Sequence, residues 1–521
     1  MRDVGTRMSG VKALISKPVP VEGVDDLFEV SPAAVRKLQT DEIVLGLCAP
    51  AGSPVHRVAH DIKRLLVQRY GYDCEIIRLS EIIQEIDGAV SNAGSFERTQ
   101  GLIEKGNNLR RRFGHSVLAD LAISRIAKAR EKAKLIAGDP RYTGRRVCYI
   151  IDSIKNSEEL EILRLVYREM FYFLGVFAPL HIRQKELETQ GMALDQVHKL
   201  IDRDSGEELA HGQLVRDTFP IADFFVRTGA GSDKELSSRL ERLLDLILRA
   251  RLVTPTYEET AMYQAASAAG NSACLSRQVG AAVTDEEGEF LAIGWNDVPQ
   301  FGGGLYSADV FVEGRLALSD SRCYNWKGGK CWNDQEKDLL SQRAVDTLIA
   351  AGIVPQNDRV RAVEALSKSP IRSLIEYSRS IHAEMHALLA ASQIGGRRIR
   401  GGKVFCTTYP CHSCARHIVA AGIQEVYYIE PYRKSLATKL HDDAITEDEE
   451  TRDKVRVLPF DGVSPRRYLD LFRMGASQRK SNGQAVQLDP RRVHPVTSGM
   501  LESVPALEGL VVQSLMSRKI L

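Results

Sequence analysis

Lys403-Val404-Phe405-Cys406-Thr407-Thr408-Tyr409-Pro410-Cys411-His412-Ser413-Cys414 is the stretch that decides how this chain folds. Its first part, Lys403–Thr407, is rich in β-branched and aromatic residues and reads as a strand. A C-x-x-C pair then opens a helix expected over Cys411–Ala421. Pro410 fits the first helical position or the one before it, where its missing N–H costs nothing. Upstream, His382-Ala383-Glu384 starts a second helix, Ala383–Ala391. Two helix N-termini can therefore meet, bringing one imidazole and two thiolates together. Zinc favours such nitrogen and sulfur donors, and three protein ligands leave a fourth position for water. The helix dipoles help keep the thiolates charged. His382, Cys411 and Cys414 are thus the candidate Zn2+ ligands, and Glu384 is left free to move protons beside the metal.

A lone C-x-x-C also serves as half of a structural zinc site. A zincin needs H-E-x-x-H, whereas this chain has His382-Ala383-Glu384-Met385-His386, so that reading fails; His386 is expected to pack behind the ligands. His412 and His417 are expected at the surface. H-x-E followed by P-C-x-x-C is instead the pattern of zinc-dependent nucleobase deamination. Zinc lowers the pKa of bound water to about 7 from about 15.7. Glu384 would accept that proton, protonate the pyrimidine N3 during attack at C4, and pass a proton to the departing ammonia.

Working outward, a domain begins near Tyr257. It reads as helix Glu258–Ala269, strand Val279–Thr284, a turn at Asp285–Gly288 and strand Phe290–Gly294. A Gly-, Asp- and Lys-rich insertion follows over 300–381, and after the C-x-x-C helix a strand covers Glu425–Ile429. Roughly 257–475 resembles the cytidine and deoxycytidylate deaminase superfamily. Besides the zinc motif, Ser276-Arg277-Gln278-Val279-Gly280-Ala281-Ala282 is similar to the family's S-x-Q-V-G-A segment. Gly294-Trp295-Asn296-Asp297-Val298-Pro299 is similar to its G-[YW]-N-G-x-P segment, with Asp297 where glycine is usual, and Ala421–Tyr428 is similar to the helix and strand that follow the C-x-x-C. The resemblance implies that Asn296 hydrogen-bonds the deoxyribose or base; taken alone, Asn296 is a turn residue. Arg277 either pairs a substrate phosphate or is simply exposed. Some relatives carry a second, structural zinc in the insertion; Cys323 and Cys331, spaced C-x7-C, do not form a standard site for one.

The first half alternates strands and helices, which implies a parallel α/β sheet over about 41–228. Glu42–Cys48 is a buried strand running into the turn Ala49-Pro50-Ala51-Gly52-Ser53-Pro54 and a helix with Val58, Ile62, Leu65 and Leu66 on one face. Further strands are expected at Asp73–Leu79, Arg146–Asp152, Leu174–Leu180 and Ile221–Val226, with helical residues over 98–136 and Asn156–Phe173. Ser232–Glu235 reads as a capping box for a helix at the domain boundary. Strand, Gly46-x5-Gly52-Ser53 and helix resemble a phosphate-binding loop, but Walker A needs GxxxxGK[ST]. This loop is one residue longer, has Pro54 after Ser53, and lacks the lysine. Gly46, Gly52, Ser53 and Asp152, the last in Walker-B position, are the candidate nucleotide-binding residues. A bare scaffold, nucleotide binding without efficient transfer, and a kinase all remain open.

The expected class is α/β: an N-terminal P-loop-type parallel α/β sheet domain (41–250) and a C-terminal cytidine-deaminase-like α/β/α sandwich (251–475). A flexible leader (1–40) precedes them and an extension (476–521) follows, wrapped on the surface or on a neighbouring subunit. That architecture resembles the bacterial antiphage deoxycytidine-nucleotide deaminases, with Ile151–Asn156, His211-Gly212-Gln213 and Asp217-Thr218-Phe219 similar to their N-terminal motifs. The resemblance implies conversion of free dCTP and dCMP to deoxyuridine nucleotides, which depletes a phage replication precursor, and an N-terminal domain that restrains the activity. It also implies a homo-oligomer, commonly a hexamer among deoxycytidylate deaminases, and a regulatory nucleotide, RNA or protein as partner.

Whole-chain chemistry is consistent with this. There are 521 residues with 70 basic and 68 acidic side chains. That balance favours a small nucleotide over DNA or RNA, since polynucleotide binders usually carry a basic excess. Nine scattered cysteines suit a reducing, cytoplasmic location, and no apolar run is long enough to span a bilayer. A polynucleotide cytidine deaminase and a nucleotide-sensing regulator with a structural zinc are the competing functions.

Overall fold

The structure is a computed structural model that describes residues 38–521 apart from 89–93, 139–141, 207–214, 230–232, 308–310, 313–314, 317–319, 432–434 and 487. Most of the proposed leader, Ser232 of the expected capping box, and the His211-Gly212-Gln213 motif lie outside the described residues. The end of the leader is ordered into a short strand, Gln39–Thr40, which pairs antiparallel with Gly499–Met500.

Two six-stranded sheets carry the architecture. The first uses β1 (Ile43–Cys48), β2 (Asp73–Arg78), β3 (Val147–Asp152), β4 (Phe171–Phe177) and β5 (Phe224–Arg227). Its helices are α1 (Val55–Tyr70), α2 (Leu79–Asp87), α3 (Ser95–Phe113), α4 (Val117–Ala137), α5 (Ser157–Tyr167), α6 (Leu180–Thr189), α7 (Leu194–Gly206) and α8 (Asp233–Leu248). The five strands are parallel in the order β2-β3-β1-β4-β5. Alternate residues of β1 face opposite sides, as strand geometry requires. Ile43, Leu45 and Leu47 pack with Val58 and Leu240, while Val44 and Cys48 pack with Ile123 and Leu160. Both faces are covered, so β1 reads as a continuous apolar run. The fourth strand begins at Phe171, three residues before the sequence pattern places it, because α5 stops at Tyr167. The helical stretch expected over 98–136 is two helices, α3 and α4, broken at Gly114.

The second sheet follows α9 (Tyr257–Ala269), which starts with a Thr256–Glu259 capping box. It contains β6 (Gly280–Thr284) and β7 (Phe290–Trp295); then the insertion supplies α10 (Trp332–Ala350) and α11 (Arg359–Ser367). Next come α12 (Ala383–Gly395), β8 (Lys403–Thr408), α13 (His412–Ala421), β9 (Glu425–Glu430), β10 (Ile445–Thr446) and β11 (Val455–Pro459). The order is β10-β11-β9-β8-β6-β7, antiparallel only at β8–β6 and β6–β7. Ala282 and Phe405 pack toward Ala261 and Ala265 of α9, and Val283, Val404 and Cys406 pack toward α12 and α13. Helices therefore cover both faces.

The two sheets are welded together. One continuous apolar cluster holds Phe173, Phe177 and Phe225 of the first and Ala265, Phe405 and Phe460 of the second. After β11 the chain returns to the first half: β12 (Gly462–Val463) adds an antiparallel edge strand beside β5. The C-terminal extension wraps this same first half. Its helix α14 (Ser503–Ser517) places buried Glu508 against Arg130 at 2.9 Å, and Arg130 also meets buried Glu42 at 2.6 Å. Among the described residues, no helix is long and apolar enough to cross a membrane.

Candidate metal centre and neighbouring sites

The metal centre is built where two helices begin. His382 is the residue that caps α12, in extended backbone conformation. Cys411 caps α13 the same way, and its sulfur accepts from the Cys414 N–H at 3.4 Å. The helix carrying His382 lies directly on β7: a Cβ added at Gly294 would meet the Ala387 nitrogen at 2.4 Å. Only glycine permits this approach, which sets the height of His382 over the sheet.

His382 Nδ1 lies 3.3 Å from the sulfurs of both Cys411 and Cys414, and the three ligand atoms fall within 4.8 Å of one another. Bonds of about 2.3 Å to sulfur and about 2.0–2.1 Å to nitrogen at tetrahedral angles set ligands roughly 3.6 Å apart. The donor set and its spacing fit Zn2+, and among the described residues three protein groups converge there, which suits a centre whose fourth position takes water. The electrostatics agree. Cys411 is held down to about 4 by hydrogen bonds from Cys414 and His382, and His382 is pushed up to about 9, chiefly by its bond to Cys411. A proton shared among nitrogen and thiolate is what a bound cation replaces. Cys406, buried beneath the site, has its thiol pushed well up by burial.

Glu384 is buried and burial raises its carboxyl above the usual range, with His382 pulling the other way. A carboxyl so placed can both hold and release a proton. It lines a cavity of about 160 Å3 together with His382, Cys411, Asn296, Arg277 and Tyr409. All six residues expected at the deamination site thus meet, five of them in the cavity wall, with Cys414 behind Cys411.

The structure refines two roles. Asn296 is buried and uses its amide to hold the neighbouring loop: Oδ1 accepts from the Val279 N–H at 2.7 Å and Nδ2 donates to the Arg277 carbonyl at 2.9 Å. It also lines the cavity. Arg277 sits at the exposed rim, 3.4 Å from Glu430. The unusual Asp297 is buried and well satisfied. It accepts from the Ala273 and Val298 N–H groups at 3.0 and 2.8 Å, with Arg322 of the insertion 3.6 Å away. Glycine's replacement here is offset by a cation from the insertion. His386 accepts from the Trp295 N–H at 3.2 Å and packs edge-on against that ring, so it is a packing group.

The N-terminal loop differs. Gly46 is a correction: it lies within β1, where a Cβ would meet Ile154 at 2.6 Å and Phe171 at 2.7 Å, so packing rather than phosphate binding accounts for it. Gly52, with φ +80°, lies under α6; a Cβ would meet the Arg183 carbonyl at 2.6 Å. Ser53 and Gly52 do line a crevice of about 480 Å3, with His56, Ser153 and Lys155. Asp152 stands beside it, buried, accepting from Ser153 Oγ at 3.0 Å and in contact with His56. The crevice lies outside the carboxyl ends of β1 and β3, beside the point where the strand order reverses. His56 was missed from sequence because its partner is 96 residues away. Tyr409 and Glu430 were missed as well; the only signal for Tyr409 was its place next to Pro410.

Residues 255–430 match the model of the cytidine and deoxycytidylate deaminase zinc-binding region. Deoxycytidylate deaminase of Enterobacteria phage T4 is 29% identical over 164 residues, which is 32% of this chain and 72% of that protein. ComE operon protein 2 of Bacillus subtilis (strain 168) is 45% identical over 56 residues, 11% of this chain; the chain spans only 29% of that protein's length. A structure of dCMP deaminase from cyanophage S-TIM5 in complex with dCMP and dUMP shares 21% identity, covering 40% of this chain and 99% of that one, with a TM-score of 0.23. The second half of the chain therefore carries a deaminase-type zinc-binding region, and its His/Cys/Cys group is a Zn2+ site.

Proposed function

We propose that the protein hydrolyses the 4-amino group of free deoxycytidine nucleotides, converting dCMP, dCTP or both to dUMP or dUTP and ammonia. The observation that carries this reading is the buried Glu384 beside a three-ligand His382/Cys411/Cys414 centre. Bound zinc supplies an acidified water, its pKa lowered to about 7. Glu384 takes a proton, delivers it to the pyrimidine N3, and carries another to the leaving amine. A non-ligand carboxylate raised by burial suits this shuttling. Asn296 fixes the 277–279 loop against the base and sugar. Arg277, at the rim and only loosely paired with Glu430, is placed to meet a phosphate. Near-neutral net charge supports a mononucleotide substrate over a polynucleotide.

The wider reading follows from the resemblance of both halves. The enzyme acts in the cytoplasm as a homo-oligomer, a hexamer in the simplest case, and depletes dCTP during phage infection. The N-terminal half, with its lysine-free loop and the Gly52/Ser53/Asp152 crevice, restrains the deaminase and responds to a nucleotide, RNA or protein. Incubation of purified zinc-loaded protein with dCMP and with dCTP tests the core claim. Ammonia and the matching deoxyuridine nucleotide are expected. No product from either, at about one zinc per chain, overturns it.

A further inference from the structure

We propose that Glu447 is a positioning residue for the deamination site: it locks the ring of Tyr409 and ties the zinc pocket to the N-terminal half of the chain. This deepens the proposed function and rests on it.

Tyr409 is the cavity residue immediately before Pro410 and Cys411, and it is buried. Three contacts fix it. Its N–H donates to the Glu430 carbonyl at 2.7 Å. Its ring meets Tyr428 edge-on at 4.8 Å. Its hydroxyl donates to Glu447 Oε1 at 2.9 Å. A tyrosine has only two side-chain torsions, so a ring contact plus a hydroxyl bond leaves one orientation. Without the carboxylate the ring keeps its edge-on contact with Tyr428, and its hydroxyl is left with Thr438 in place of a charged partner.

Glu447 also faces the other way. It lines a second cavity, about 450 Å3, between the two halves of the chain, whose opposite wall includes Pro50, Leu180 and Arg183. Arg183 belongs to α6, and its Nε donates to the Ala51 carbonyl of the N-terminal loop at 2.7 Å. Two residues beyond Glu447, Glu449 pairs with Arg227 at the end of β5. The 447–449 segment is therefore held by the zinc pocket at one end and by the first sheet at the other. A shift at the end of β5 reaches Tyr409 through this segment, by way of the Arg227–Glu449 pair.

The test is steady-state deamination by the full-length, zinc-loaded protein. Tyr409→Phe and Glu447→Ala should each raise KM about five- to tenfold, the net worth of one ordinary hydrogen bond. Under the reading of KM and kcat as separate losses, kcat should stay within about twofold. The double variant should be no worse than either single change. Glu447→Gln, which keeps an acceptor oxygen, should restore near wild-type KM. Arg227→Ala should shift KM about threefold, at the low end of long-range coupling, and should do so only when Glu447 is present. Unchanged KM in Tyr409→Phe and Glu447→Ala, or additive losses in the double variant, overturns the tether. An Arg227→Ala shift of equal size in the Glu447→Ala background overturns the link to the N-terminal half. An active wild type with unaltered variants sinks this proposal alone, whereas a wild type inactive on dCMP and dCTP sinks the proposed function and this role with it.

Discussion

Two strand–turn–helix junctions in this molecule invite comparison. One leads from β8 through Tyr409 and Pro410 into α13; the other leads from β1 through Pro50–Pro54 into α1. Each follows an interior strand of a six-stranded sheet and opens a helix at its carboxyl end. Both therefore offer a helix N-terminus with its partial positive charge. At the first junction that field falls on two cysteine sulfurs, and α12 brings an imidazole to within 3.3 Å. At the second, the lysine position is Ser53 and the Arg183 carbonyl closes over Gly52. Topology alone supplies the place; the side chains decide whether chemistry happens there.

The sharpest way to break this contrast is at Glu384. Glu384→Ala should lower kcat by roughly 10²–10⁴-fold, the usual worth of a positioned proton shuttle. Zinc measured by atomic absorption should stay at the wild-type level, since Glu384 is not a ligand. Residual activity near wild type would remove the carboxyl from the reaction. Cys414→Ser should act differently, losing zinc and turnover together, because a three-ligand centre has no spare donor to replace a lost thiolate. Retention of metal by that variant would mean that a fourth protein group binds.

Charge plays another part in the N-terminal half. Arg130 is buried between Glu42 and Glu508 at 2.6 and 2.9 Å, and Arg145 shares Glu42 at 2.8 Å. Here buried ions join α4 to the returning helix α14 rather than moving protons. Arg130→Met should strand the buried Glu508 carboxylate and leave Glu42 with Arg145 alone, at a cost of about 3–5 kcal/mol, read as a lower denaturant midpoint. An unchanged midpoint would show that water already solvates the pair.

What was legible in the sequence follows the same division. His382, Glu384, Cys411 and Cys414 were readable because their chemistry depends on residue types at short spacing, each set by a helix start. The strands near 43–48, 147–152, 403–408 and 425–430 were readable because they carry apolar, β-branched runs. The rest depends on long-range return of the chain. Gly462–Val463 is too short to announce itself as a strand, and it joins the first sheet only because β5 presents an edge. Nothing local says that α14 docks on α4, or that Glu447 reaches Tyr409. Gly46 misled for a related reason: a glycine in a strand pattern fits a phosphate loop and close packing equally well, and only Ile154 and Phe171 decide.

Gly52→Val is a smaller probe of the second junction. The new Cβ would meet backbone at 2.6 Å in a left-handed conformation. The strain is worth of order 1–3 kcal/mol. It should lower the midpoint of unfolding; an unchanged midpoint would mean that α6 is free to lift off the loop.

The smallest expected effect compares the two histidines. His382 offers its ring nitrogen to a metal, whereas His56 uses a proton to hold Asp152. His56 is raised above 6.5, first by its hydrogen bond to Asp152, against burial and the nearby Arg78 and Lys155. A histidine raised on folding adds stability that is fully present below its unfolded pKa near 6.5 and is lost as pH rises through the folded value. The side chain is 60% exposed, so solvent screening keeps the contribution small. His56→Gln should therefore lower the melting temperature at about pH 6 and do so progressively less as pH climbs above about 6.5. A difference that stays constant across that window would assign His56 a packing role and leave the second junction with no titrating group of its own. A difference that closes would show that this crevice, whose loop has no lysine after Gly52, gains a positive charge beside Asp152 as the pH falls.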